Sequence, residues 1–154
     1  MFKFIKSYTV TPKEIFRINN GLLVRLRAHP GLYRPKGVFD LLTYAGKVQP
    51  KALNAATYQP PNEASMRPNT PRMHILTSIL RGNSACIYSV PAGTPLPDNL
   101  ILIHEFRDHY SLQPREEMTV DDLNASITRF LQGKGRLFTK EEWLWQYPKP
   151  IETK

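Results

Sequence analysis

Cysteine is nearly absent. Cys86 stands alone among 154 residues, which excludes a disulfide framework and a structural zinc site built on thiolates. Its setting, Ala85-Cys-Ile-Tyr-Ser-Val90, reads as a buried strand, so a small structural hydrophobe is expected rather than a nucleophile. Long apolar runs are missing too. The longest, residues 100–103, is strand-sized and far short of the ~20 residues of a membrane span, so no membrane insertion is expected. Phosphate-binding glycine loops, a His-Glu-x-x-His helix and a nucleophile elbow do not occur. The 4 histidines lack ligand spacing, and no metal is expected. Acidic residues are scarce in one half only: residues 1–82 hold 13 Lys/Arg against three acids, and residues 83–154 hold 8 against 10. Such a basic field suits polyanions (nucleic acid, a membrane surface or a phosphate-bearing ligand), or else is a solvated face that confers solubility. The N-terminus alternates charge with bulk and has no continuous apolar core of a signal peptide, so a cytoplasmic, intracellular site of action is expected.

Proline, by contrast, is abundant. The 14 prolines cut the chain into short pieces, because each removes a backbone donor and clashes with a preceding helical turn. Strands are expected over 14–18, 22–27, 86–90, 100–105 and 109–113, where Ile, Val, Tyr and Phe are bounded by Gly, Pro or Asn. The last two are placed to pair as a hairpin across Phe106, Arg107 and Asp108. Residues 54–74 are polar and proline-rich without periodicity, either a stiff wall of a binding site or a disordered linker. Thr119-Val-Asp-Asp122 opens a helix that Gly133 and Gly135 should stop. Thr139-Lys-Glu-Glu142 opens a shorter one that Pro148 ends, and a third helix is expected over 38–45. The sum is one α+β domain over residues 1–154, a mostly antiparallel sheet with short peripheral helices.

One ordered set of motifs goes further. Val90-Pro-Ala-Gly-Thr-Pro-Leu-Pro-Asp-Asn-Leu100 is followed by Asp108-His-Tyr-Ser-Leu-Gln-Pro114, and then by Met118 before a helix. Upstream stand Ile15-Phe-Arg17 and Ser65-Met-Arg-Pro-Asn-Thr-Pro71. From about residue 14 to residue 131 this order resembles the ADP-ribosyltransferase toxins typified by a type VI secreted effector, the Tse-two class. The Trp-containing end is most similar to a fungal branch. The resemblance implies a split antiparallel sheet and NAD as substrate. It implies cleavage of the nicotinamide–ribose bond and transfer of ADP-ribose to an acceptor, protein or nucleic acid. It also implies an inhibitor or immunity-type protein as partner.

That reaction leaves a sugar with oxocarbenium character, so the site must hold a pyrophosphate, clamp a ribose and face the cation with dipoles or negative charge. Under the resemblance Arg17 is the phosphate ligand, since a guanidinium binds phosphate oxygens bidentately. Ser65 is a ribose contact or a turn-forming serine, and Arg67 is a second phosphate ligand or a solvated side chain. Tyr110 is a face for the nicotinamide. Two-residue alternation nonetheless puts His109, Ser111 and Gln113 on one strand face and Tyr110 with Leu112 on the other, so a polar cleft face of His109, Ser111 and Gln113 is expected. Better-known transferases carry a glutamate near this strand position, where the neutral Gln113 stands here. Either Glu105, on the preceding strand, or Glu116–Glu117, after Pro114, substitutes, or the catalytic work falls to neutral dipoles of His109 and Gln113. Two other functions fit the composition: a basic nucleic-acid-binding module or metal-independent ribonuclease, with Phe16, Tyr33, Phe39 and Tyr44 interleaved among its cations, and an inactive interaction domain of the same fold.

Overall fold

A computed structural model describes residues 4–29, 40–59 and 64–150. In chain order its elements are β1 (Lys6–Tyr8), β2 (Ile15–Asn20), β3 (Ala28–His29), β4 (Leu41–Tyr44), β5 (Lys47–Val48), β6 (Ala64–Met66) and α1 (Pro71–Ser78). There follow β7 (Ala85–Val90), β8 (Leu100–Phe106), β9 (His109–Pro114), β10 (Met118–Thr119), α2 (Val120–Lys134), β11 (Arg136–Thr139) and α3 (Lys140–Gln146). One sheet has the order β1-β8-β9-β6, a second β11-β7-β2, and a third, small sheet β10-β5-β4-β3. Every pairing in the first two is antiparallel. The architecture is the expected α+β type, mostly antiparallel with short helices.

Among the described residues, one isolated main-chain bridge joins the first two sheets. Phe16 of β2 and Arg67, just past β6, exchange both main-chain hydrogen bonds, at 2.7 and 2.9 Å, and the strands part on either side. The main core lies on one side of this split assembly. There Ile15 and Val90, Leu100, Leu102 and Leu112, and Leu123, Ile127 and Leu131 of α2 are buried together. Each such side chain contributes about 1.5–3 kcal/mol by leaving water. A second cluster, Phe16, Met73, Ile87, Phe138 and Trp143, fills the other side of the β7 sheet. Strands covered on both faces lose the alternating pattern, which is why β7 and β8 read as continuous apolar runs.

Local chemistry explains most boundaries. The Thr119 hydroxyl accepts from the Asp122 amide at 3.1 Å, and Thr139 with Glu142 closes a complete capping box on α3. α2 runs past Gly133 and ends at Gly135, whose amide bonds the Leu131 carbonyl at 2.9 Å. A methyl group on Gly135 would stand 2.6 Å from the Leu131 carbonyl oxygen and 2.9 Å from that of Ser89. Both are fixed backbone, so Gly135→Ala is expected to destabilise by roughly 1–3 kcal/mol, while Gly133→Ala, with open space around it, is not. Urea midpoints of the two variants check this. The Pro-x-Gly-Thr connector is also structural. Gly93 takes φ +79°, and the Thr94 and Thr11 hydroxyls both donate to the Pro91 carbonyl at 2.7 Å.

Four expectations are corrected. Residues 22–27 alternate in burial as a strand would, but they form none: the Val24 and Leu26 amides donate to Thr128 Oγ1 and Asn124 Oδ1 of α2, each at 2.9 Å, and only Arg27, next to β3, bonds the start of β4. The helix expected over 38–45 is instead β4, with residues 38 and 39 outside the described residues. Ala45 and Gly46, at φ 52° and 76°, make the tight turn that pairs β4 with β5, so a hairpin satisfies this backbone. The stretch 54–74 contains β6 and the start of α1. Thr70 caps that helix and Pro71 occupies its first turn, where a missing amide costs nothing. The hairpin between β8 and β9 turns at Arg107, φ 49°, and carries an irregularity at Glu105, so β8 extends to Phe106.

Candidate active site

Ser65 sits where the split begins, and two of the expected residues converge on it from different sheets. β6 pairs with β9 so that Ser65 lies opposite Ser111, and the same strand face carries His109. His109 Nε2 is 3.1 Å from Ser65 Oγ. From the second sheet, Arg17 leaves β2 on the side of Ile15 and Asn19, and its Nη1 donates across the gap to the Ser65 carbonyl at 3.1 Å. Arg17 Nε also donates to Asn19 Oδ1 at 3.3 Å, which steadies the guanidinium.

Behind His109 lies a buried acid. The irregularity in β8 turns Glu105 toward β9, where Glu105 Oε1 is 3.2 Å from His109 Nδ1, and its other oxygen accepts from the Tyr58 hydroxyl. Glu105 is 0% and His109 4% exposed. Gln113 Nε2 donates to Ser111 Oγ at 3.0 Å, both fully enclosed. The face of His109, Ser111 and Gln113 therefore exists as alternation predicts, but it is an enclosed face rather than an open cleft wall. Beside Ser65 there opens a notch of about 50 Å³, lined by Phe16, Ile18, Ser65, Met66, Arg67 and Met73. Larger hollows, of about 420 and 460 Å³, lie along α2, away from these residues.

The remaining candidates separate. Arg67 lines the notch and pairs with Asp108 at 3.7 Å; Asp108 also accepts from Thr70, tying the hairpin to the start of α1. Tyr110 does not join the site. It is on the core face of β9, stacked on the His104 ring at 4.4 Å, and burial pushes its phenol above the ordinary value. Glu117 is exposed and distant, held by Gln49 at 2.8 Å and Lys47 at 3.4 Å, and the Gln49 hydrogen bond foremost, then Lys47, hold its carboxyl below the ordinary value. Nothing in its polar stretch of sequence marks Tyr58; only the fold brings it to Glu105. Cys86 is buried, and burial pushes its thiol up. Phe16, offered as a base-stacking aromatic, is 1% exposed against Trp143, while Tyr33 and Phe39 lie outside the described residues. Among the described residues no three His, Cys, Asp or Glu side chains gather as for a metal, and no helix is long and apolar enough to cross a membrane.

Two antiparallel sheets parting from one bridge, with an arginine, a serine and a histidine at the parting, form an α+β fold of ADP-ribosyltransferase type. The family model of the Tse2 ADP-ribosyltransferase toxins matches residues 13–143, from just before β2 into α3, and the chain belongs to that family. The match is to the family as a whole and does not single out a fungal branch. No curated protein and no solved structure matches the chain. The family is one of transferase toxins whose ADP-ribose donor is NAD.

Proposed function

We propose that NAD binds at the split between β2 and β6, that its nicotinamide–ribose bond is broken there, and that ADP-ribose passes to a nucleophilic acceptor. The observation that carries this reading is the convergence of Arg17 and His109 on Ser65 from two different sheets. Arg17, beside the split on the Ile15 face of β2, supplies a charged donor for the pyrophosphate, and Arg67, which lines the notch, is a second cation. Ser65 offers a hydroxyl to the ribose. His109 and Gln113 supply oriented dipoles on one face of β9, and a neutral amide at 113 avoids burying an unpaired charge. The notch as it stands holds only a water or two, so NAD entry widens the split. The same reading makes the protein a single domain that acts in an NAD-containing compartment such as the cytoplasm, with a protein inhibitor as a further partner.

Ligand that binds only the native state raises its melting temperature by mass action. Millimolar NAD is therefore expected to raise the melting temperature, and nicotinamide is expected to appear in solution. Arg17→Ala should weaken NAD binding by about tenfold or more, as expected for a charge-assisted contact worth ~1.5–3 kcal/mol. Arg136→Ala is the control, because Arg136 is exposed over the Phe138 ring, at 5.1 Å. Titration calorimetry with NAD decides; equal affinities in the two variants reject the assignment.

A further inference from the structure

The solvent face of α2 is flanked by two open, mostly apolar hollows, of about 420 and 380 Å³, and Arg129 borders both. The first lies against Leu96 and Phe130, the second against Leu23 and Val24. Small residues make the room. Ala125 and Gly133 stand four positions to either side of Arg129, so the three share one exposed helix face. Both walls are fixed. Asn99 Nδ2 donates to Ser126 Oγ at 2.9 Å and the Leu96 amide to the Thr9 carbonyl at 2.9 Å, which hold the proline-rich connector in place. On the other side the Val24 and Leu26 amides bond Thr128 and Asn124, and Gln132 Nε2 donates to the Leu22 carbonyl at 3.3 Å. Arg129 is exposed, and its Nη2 donates to the buried Ser126 Oγ at 3.4 Å, which steadies the guanidinium between the hollows.

Charge and shape choose the occupant. Arg25, Arg129 and Lys134 line the two hollows against one acid, Asp121, and the whole chain carries a net charge of +8. This face therefore calls for an anion set beside apolar bulk. At the start of α2 a third, polar hollow brings Glu116, Glu117 and Asp122 beside Lys47 and up to Arg129, and these acids repel a run of phosphates. A small ligand is enclosed over most of its surface, whereas here two open hollows stand on either side of one side chain. Leu22 and Leu23, 56% and 50% exposed, extend the apolar surface at the second hollow.

We propose that this face of α2 docks an acidic segment of a partner protein, which seats one bulky apolar side chain in each hollow and a carboxylate on Arg129 between them. An arginine between preformed apolar pockets is the kind of group that concentrates binding energy at protein interfaces. The fixed walls lower the cost of ordering the surface on binding. The surface shares no residue with the notch, so the proposal stands apart from the NAD reading.

A library of random dodecapeptides displayed on phage and selected on the full chain supplies the probe. Enriched peptides are expected to carry an Asp or Glu between Leu, Phe or Trp residues. The leading peptide, labelled with fluorescein, is titrated by anisotropy against the wild type and three variants. Arg129→Glu should weaken binding by about tenfold or more through charge reversal. Gly133→Phe should weaken it by a similar factor by filling the first hollow, because a Cβ at this position meets nothing within 4 Å. Arg81→Glu makes the same change of net charge on an exposed residue outside both hollows, and should leave the affinity unchanged. Thermal melts should show all three variants folded. A selection that enriches nothing, peptides without the acidic and apolar pattern, or equal affinities for the wild type, Arg129→Glu and Gly133→Phe overturn the proposal. Self-association in sedimentation velocity that Arg129→Glu abolishes overturns it in favour of a second copy of the chain. Binding of a single-stranded RNA oligonucleotide that Arg129→Glu abolishes and Arg81→Glu spares overturns it in favour of nucleic acid.

Discussion

His109→Ala is expected to slow nicotinamide release by about 10²–10³-fold, the usual cost of removing one oriented polar group that acts in the transition state. The imidazole bridges the hydroxyl at the notch and the buried acid behind it, at 3.1 and 3.2 Å. No neighbour can take over both contacts, because the ring is fixed between β8 and β6 and is 4% exposed. The truncation also leaves a buried gap beside the enclosed Glu105, which costs about 0.5–3 kcal/mol of stability. Circular dichroism and a thermal melt should therefore show a folded protein with a lower melting temperature. Gln113→Ala should reduce the rate in the same direction, since its amide and Ser111 share the His109 face. Glu117→Ala should have little effect, because Glu117 is exposed and bound to Gln49 and Lys47. Nicotinamide release by the three variants under saturating NAD is the measurement. A larger loss in Glu117→Ala than in His109→Ala would move the catalytic group to the far end of β9.

Trp143→Ala is expected to cost about 3–5 kcal/mol, a large share of a small domain's stability. The indole is fully buried, edge-on to Phe16 at 5.3 Å, stacked on Tyr147 at 5.5 Å and beside His74 at 4.6 Å. Burial, and secondarily Lys149, hold His74 below its ordinary value, in keeping with this enclosed aromatic setting. Phe16 is also the residue that bridges the two sheets, so a cavity at Trp143 loosens the split itself. NAD affinity should fall with stability. Trp143→Phe should be milder than the alanine variant, because the indole nitrogen has no hydrogen-bond partner among the described residues and its loss removes a buried unpaired donor. Trp145 provides the contrast: it is 90% exposed, and Trp145→Ala should stay within about 0.5 kcal/mol. Urea denaturation of the three variants gives the comparison, and equal midpoints for Trp143→Ala and Trp145→Ala would show that the second cluster does not hold the sheets together.

What could be read without coordinates was whatever local chemistry decides. The Thr119 and Thr139 caps announce α2 and α3 because a side-chain oxygen must meet amides that a helix start leaves unpaired. The strands β2, β7, β8 and β9 follow from β-branched and aromatic residues between breakers, and alternation alone puts His109, Ser111 and Gln113 on one face, away from Tyr110. The order of motifs from Arg17 to Met118 carried the family, and the family match over residues 13–143 agrees with it.

Other features depended on partners far away in the chain. Residues 22–27 alternate like a strand, yet Thr128 and Asn124 on α2 claim their amides, and periodicity does not tell which acceptor a backbone will find. Residues 41–44 have the apolar content of a helix or a strand, and the Ala45–Gly46 turn settles the choice by pairing them with β5. The site shows this most plainly. Tyr58 and Glu105 are 47 positions apart, Arg17 and Ser65 are 48 apart, and Ser65 and His109 are 44 apart. Residue types and spacing mark several of these side chains as polar groups with chemistry. Only the tertiary fold, by parting two sheets at Phe16 and Arg67 and shifting register in β8 at Glu105, brings them together.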